Sequence, residues 1–337
     1  MQLQNEGFSK NDQPADLGRK WEGEPMKKTI ALLCGGISSE RMVSLKSGQQ
    51  VFEALDKNEY EVRQYDPKTD LPRLVAEAAQ IDAALIILHG PYGEDGTVQG
   101  LLELLDIPYQ GAGVLGSALS MNKLAAKQLY EQAGIPVPPS VTVRCGDVVD
   151  EAELSGHLGL PLVIKPVAGG SSIGMSIVRT SDKIREALDK AFEQDTVALV
   201  EAYIQGVEIT GGVLGNNKLQ ALPLIEIIPG GEHDFFDYEA KYIAGVSQEI
   251  CPARLSPELT AKAQSYACSA HKALFCSGYS RTDMLVRGDD IYVLETNTIP
   301  GMTPTSLFPQ AAKAAGIPFD RLLDRLIELG IKAHHNR

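Results

Sequence analysis

No stretch of this chain approaches the roughly 18 consecutive apolar residues that a membrane-spanning helix requires, and its first residues lack the apolar core of a secretory signal. Cysteine is sparse. Cys34, Cys145, Cys251, Cys268 and Cys276 include no C-x-x-C pair, and their odd count suits reduced thiols in a reducing cytoplasm rather than a disulfide framework. The six histidines lack metal-ligand spacing, and His334-His335 reads as a polar tail, so no zinc site is indicated. Basic residues are outnumbered, and the formal net charge of -13 argues against nucleic acid as a partner while leaving room for a local basic cleft in an acidic shell. Phosphate signatures are also missing where they would count. G-x-x-x-x-G-K-[ST] does not occur, which speaks against a Walker-loop enzyme, and the first strand-like run is not followed by G-x-G-x-x-G, which speaks against a dehydrogenase.

What is present is a sequence of 337 residues, enough for two to three domains with sizeable cores. Residues 1 to 25 are polar and read as a mobile extension ahead of Met26-Lys-Lys-Thr-Ile, which looks like a second start. Thr29 to Cys34 is a nearly continuous apolar run that suits a buried parallel strand and leads into Gly35-Gly36. Helical spacing follows through Val43, Leu45, Val51, Phe52 and Leu55. Strand-like runs then appear at Tyr60 to Asp66 and at Ala83 to Leu88, the latter ending at His89-Gly90. This alternation predicts an α/β fold with a doubly wound N-terminal sheet, whose ligands lie beyond the carboxyl ends of the strands.

A second unit begins near the extended segment Gly134 to Ser140. It carries Leu162-Val-Ile-Lys165, then the glycine-rich loop Gly169 to Gly174, then further strand-like runs at Met175 to Val178 and Val197 to Glu201. The loop reads equally well as a hairpin turn or as a cradle of backbone N–H groups for phosphate. Lys165 favours the cradle, because an ammonium at the end of an apolar strand requires an anion such as phosphate. Near the C-terminus, the run ending in Leu294-Glu-Thr-Asn297 places Glu295 and Asn297 on one side of a strand. Arg281 and Asp283 share a face of another. Asp283 facing Glu295 and Asn297 would make a site of hard oxygen donors suited to magnesium, with Arg281 beside it to neutralise phosphate or an oxyanion.

From about Lys27 to Lys332 the chain resembles the D-alanine–D-alanine ligases of the ATP-grasp superfamily, through "GGISSERMVSLKSG", "LHGPYGEDGTVQG", "ALSMNK", "IKPVAGGSSIG", "DYEAKY", "SRTDM" and "ETNTIPGMT" taken in order. The resemblance implies an ATP-grasp fold: a Rossmann-like pre-ATP-grasp domain at 26–122, a central subdomain at 123–210, and a C-terminal subdomain at 211–337 with a lid and the metal site. It implies that Lys123, Lys165, Ser172 and Lys241 serve the ATP phosphates, Glu201 and Ile204 the adenine, and Glu208 the ribose. Asp283, Glu295 and Asn297 are then the ligands of two Mg2+ ions, with Mn2+ as a substitute. Glu40 would hold the ammonium of the first D-alanine, with His89 nearby, and Ser171 and Tyr242 would join Glu40 in locking the loop. Ser306 and Leu307 would receive the second substrate, while Arg281 and the N–H of Gly301 face the oxyanion. Tyr242 accompanies dipeptide rather than ester formation in the family, and a homodimer is its usual state. Ala202 stands where many relatives carry a longer polar side chain, and Asn122 where Asp is common. The rivals are the same chemistry with D-serine or D-lactate as acceptor, a nucleotide-binding module without ligase activity, and a kinase that stops at a phosphorylated product.

Overall fold

A computed structural model describes residues 27–170, 172–230 and 247–336. The expected N-terminal extension, Ser171, and the lid segment with Lys241 and Tyr242 lie outside the described residues. The first apolar run forms β1 (Lys28–Leu33), which pairs in parallel with β2 (Tyr60–Tyr65) on one side and β3 (Ala83–Ile86) on the other. Ile30 and Leu32 enter one core and Ala31 and Leu33 another, so both faces of the strand are covered. That double burial is why the run is continuous rather than alternating.

The helix Arg41–Ala54 is seated by small side chains, since its buried residues are Ser44, Ser47, Gly48 and Val51. The apolar spacing read from the sequence found Val51 and Leu55 in the core, with Leu45 and Phe52 packed against it, but not the small residues Ser44, Ser47 and Gly48. A Cβ at Gly48 would lie 2.6 Å from the Cβ of Cys34, so the helix approaches β1 as closely as glycine allows. The Ser44 hydroxyl accepts from the Gly35 N–H at 2.8 Å and donates to the Ile87 carbonyl, tying helix, glycine turn and the end of β3 together. Gly35 needs φ +99°, and a Cβ there would sit 2.7 Å from the Asp66 carboxylate.

A second sheet takes the order β4-β7-β5-β6, from β4 (Ser140–Arg144), β5 (Leu162–Pro166), β6 (Ser176–Val178) and β7 (Val197–Ala202). Because β5 and β6 pair antiparallel, the glycine-rich loop is the connection of a hairpin. A third sheet is built on β8 (Val207–Leu214), β9 (Gln220–Ala221), β10 (Ile225–Pro229), β11 (Ser247–Ile250), β12 (Tyr279–Arg287) and β13 (Asp290–Asn297). The boundary expected between residues 210 and 211 falls inside β8. Ala126 and Tyr130 of the helix Lys123–Gln132 share a core with Ile209, Met284 and Val293 of the third sheet, and with Ala267 of the helix Pro257–Ala273.

The last helix, Phe319–His335, buries Leu322, Leu323, Leu326 and Ile327 in the same core as Ile30, Leu32 and Leu85 of the first sheet. Phe308, from the helix Leu307–Ala314, joins that core edge-to-face with Tyr279, their ring centroids 5.3 Å apart. Among the described residues no helix is long and apolar enough to cross a membrane, and all five cysteines are free thiols.

Two glycine substitutions separate close approach from helix propensity. Gly48→Ala is expected to destabilise the fold by about 1–3 kcal/mol through overpacking against Cys34. Gly156→Ala, in the helix Glu151–Leu158 with open space around the added methyl, is expected to stabilise it by about 0.5–1 kcal/mol. Urea denaturation of both variants checks the pair, and equal shifts would contradict this account of the Gly48 contact.

Candidate active site

The pairing of β12 with β13 places Asp283 directly opposite Glu295, and Arg281 opposite Asn297. On the reverse face, the Tyr130 hydroxyl donates to Thr296 Oγ1 at 2.8 Å, and Thr296 Oγ1 meets Thr282 Oγ1 at 3.0 Å. This buried hydroxyl chain turns Thr296 inward and so directs Glu295 and Asn297 outward. Asp283 is held firmly: Arg281 donates through Nε at 2.9 Å and Nη2 at 2.8 Å, Thr210 Oγ1 donates at 2.6 Å, and Asn297 Nδ2 donates at 3.3 Å. Two carboxylates and an amide oxygen fit Mg2+, which takes one or two carboxylates and completes its shell with water and phosphate oxygens. A carboxylate offers about four lone-pair sites, so a cation at Asp283 takes a place that one of these donors now holds.

Two cavities meet at this sheet. The larger, about 450 Å³, is lined by Lys123, Lys165, Ser172, Glu201, Ile204, Glu208, Asp283 and Glu295, among others. Val163, Ile177, Leu285 and Leu294 give it apolar walls that suit a flat heteroaromatic base, and Ala202 leaves one wall without a long side chain. Ser172 holds a left-handed φ of +58°, uncommon for a residue other than glycine. The smaller cavity, about 340 Å³, is lined by Glu40, His89, Glu94, Arg281, Glu295, Asn297, Gly301, Ser306 and Leu307, among others. Lys123, Gly170 and Glu295 line both.

Lys123 opens its helix behind Asn122, whose side chain caps it by accepting from the Ala125 N–H at 2.9 Å, a role that Asn and Asp share. The Lys123 ammonium donates to the Gly169 carbonyl at 2.5 Å and so ties helix to glycine-rich loop. Glu40 is buried where the helix Arg41–Ala54 begins. His89 is buried too, and its Nε2 has no hydrogen-bond partner among the described residues, so that atom suits a polar group of a bound molecule. Burial holds the His89 pKa below its ordinary value, with Arg281 adding to the effect and Glu40 opposing it, so the ring is neutral. Ser306 precedes the helix Leu307–Ala314, accepts from the Thr303 N–H at 3.1 Å, and stands against Gly301.

Lys165, whose burial requires an anion such as phosphate, has Glu201 as its partner within the chain, at 2.7 Å. The two are diagonal neighbours on one face of the second sheet, since Val163 is paired with Glu201 and Lys165 with Leu199. Lys127 also bonds Glu201, and the sequence reading missed it. It lies one helical turn after Lys123, a spacing that could have been noticed, but its partner is 74 residues away. Burial works against the charge on all three groups. The two lysines nevertheless keep Glu201 below the ordinary carboxylate range, and Glu201 holds Lys165 above its own, whereas for Lys127 burial prevails and lowers the pKa.

Glu94 is a second residue that the motif reading passed over. Its Oε2 accepts from the Gly90 N–H at 2.7 Å, and burial, reinforced by Glu40 and Glu295, pushes its pKa up to about 8.

A lysine-bearing hairpin sheet and a carboxylate-bearing antiparallel sheet lining one cavity, with a parallel sheet before them, make this an ATP-grasp fold with an added N-terminal domain. Family models described as the D-ala D-ala ligase N-terminus and C-terminus match residues 63–112 and 129–328. A D-alanine–D-alanine ligase of Syntrophobacter fumaroxidans is 63% identical over 306 residues, spanning 91% of this chain and 98% of that protein. The crystal structure of a D-alanine–D-alanine ligase from Bacillus anthracis complexed with ATP superposes with a TM-score of 0.80 at 37% identity, covering 92% of this chain and 99% of that one. A D-Ala:D-Ser ligase from Enterococcus faecalis gives a TM-score of 0.78 at 35% identity, covering 90% and 99%. The chain belongs to the D-alanine–D-alanine ligase family.

The raised pKa of Glu94 makes stability depend on pH. Between its ordinary value of 4.5 and about 8, the folded chain holds a proton that the unfolded chain releases, so this group's contribution to stability falls as pH rises through that window. Glu94→Gln keeps an acceptor for Gly90 and cannot ionise. Without nucleotide or metal, its melting temperature is expected to exceed that of the parent at pH 9 and to converge on it near pH 5, and a difference independent of pH would contradict the assignment.

Proposed function

We propose that this chain joins two D-alanines into D-alanyl-D-alanine for peptidoglycan synthesis, splitting ATP to ADP and phosphate through an acyl phosphate. The observation that carries the reading is the meeting of the two cavities at Lys123, Gly170 and Glu295. One has the apolar walls and lysines that suit a nucleotide. The other has the carboxylate, imidazole and guanidinium that suit an amino acid.

In this reading Ile204, Leu285 and Leu294 pack the base, Glu201 and Glu208 serve adenine and ribose, and Lys123, Lys165 and Ser172 take the phosphates. Glu40 binds the ammonium of the first D-alanine beside neutral His89, which directs the carboxylate towards the junction of the cavities. Its oxygen attacks the γ-phosphorus and the bond to ADP breaks. The second D-alanine, received at Ser306 and Leu307, gives up an ammonium proton to solvent, and its amine attacks the acyl carbon. Phosphate then leaves, taking up the amine's second proton, as the C–N bond is completed. Arg281 and the Gly301 N–H stabilise the tetrahedral oxyanion between these events. Asp283, Glu295 and Asn297 would hold two magnesium ions, or manganese in their place, which would neutralise charge on the transferring phosphoryl group. A cytoplasmic homodimer belongs to the same proposal.

A second reading keeps the machinery and changes the acceptor. It is favoured by the likeness to the D-Ala:D-Ser ligase. ADP release is to be measured with magnesium-ATP and D-alanine, L-alanine, D-alanine plus D-serine, or D-alanine plus D-lactate, with products identified by mass. Stoichiometric ADP and D-alanyl-D-alanine are expected. A mixed product in preference would establish the second reading, and ADP release without need of an amine would indicate a kinase. Glu295→Gln is expected to lower magnesium-dependent turnover by at least about a hundredfold with the fold intact, as one charged ligand is lost. Near-normal turnover would remove Glu295 from the metal site.

A further inference from the structure

Glu201 is buried between two ammonium groups, with side-chain exposures of 4% for Glu201, 6% for Lys127 and 10% for Lys165. The lysines differ in what else they can reach. Lys165 and Glu201 line the larger cavity, whereas Lys127 does not and approaches from the helix Lys123–Gln132. One carboxylate with two lysines leaves the cluster a surplus positive charge, available to an anion only on the cavity side. If Lys165 turns to a phosphate, Glu201 loses one counter-ion. A buried carboxylate stripped of its partner is among the costliest states a protein interior can hold.

We propose that Lys127 is the standing counter-ion of Glu201, which allows Lys165 to exchange Glu201 for the phosphate of the incoming nucleotide without leaving a buried charge unpaired. Lys127 is therefore a positioning residue for nucleotide binding. It sets the charge balance that Lys165 must leave, without touching the nucleotide itself. The inference rests on the reading of the larger cavity as the nucleotide site.

The test is a double-mutant cycle read by calorimetric titration with ATP and by steady-state kinetics. Lys127→Met is expected to weaken ATP binding by about tenfold to a hundredfold. The KM for D-alanine should stay within about twofold, and Lys127→Arg should restore ATP affinity, since the charge is kept. In a Glu201→Gln background the carboxylate that needs Lys127 is gone, so adding Lys127→Met should cost little more. A loss that repeats in full in that background would overturn the inference, as would equal losses in ATP and D-alanine affinity. Where Lys127→Met does not fold, the pair Lys127→Gln with Glu201→Gln removes both charges. ATP affinity matching that of Glu201→Gln alone then supports the inference, and a further tenfold loss overturns it. Lys165→Met separates the two levels. If it leaves ATP affinity unchanged, the nucleotide reading of the cavity fails and the inference with it; if it weakens ATP while Lys127→Met does not, the inference alone fails.

Discussion

The register between β12 and β13 is the constraint on which both cavities depend. A slip of one residue along either strand would send that strand's outward side chains to the opposite face. The native register instead stacks Asp283 on Glu295 and Arg281 on Asn297, and Glu295 serves as a wall of both cavities. It is fixed from behind by the Tyr130–Thr296–Thr282 hydroxyl chain and from the side by Thr210 on β8. Hydroxyls suit that purpose, because each donor and acceptor is satisfied only when the strands align, whereas an apolar layer would tolerate a shift.

Charge follows the same logic of local compensation. The chain is acidic overall, yet Lys123 lines both cavities, with Lys165 in the larger and Arg281 in the smaller. Arg281 is neutralised by Asp283, and Lys165 by Glu201. An anion or a cation entering the site therefore meets groups already paired, and binding is an exchange of partners. Such exchange is less costly than charging an empty apolar cavity, since the buried ions are never uncompensated.

The sequence made the parallel strands legible because burial on both faces leaves an unbroken apolar run, as at Thr29 to Cys34. Period-two alternation likewise put Glu295 with Asn297 and Arg281 with Asp283. It could not give the cross-strand register, which depends on contacts between strands rather than along them. The seating of the helix Arg41–Ala54 was legible only in part: Val51 stood out in the apolar spacing, whereas Ser44, Ser47 and Gly48 carry no hydrophobic signal. Lys127 was hidden for another reason, its meaning residing wholly in a carboxylate far along the chain. Glu94 stood inside a recognised motif, but what distinguishes it is an environment that no letter of the motif records.

The C-terminal helix lies in one core with β1, so the two ends of the described chain complete each other. During synthesis the first sheet leaves the ribosome long before the residues that cover one of its faces. That face must wait, exposed or sheltered by a chaperone, until Phe319–His335 has emerged. A nascent chain truncated before Phe319 would therefore present an apolar sheet face, that of Ile30, Leu32 and Leu85, to the cell.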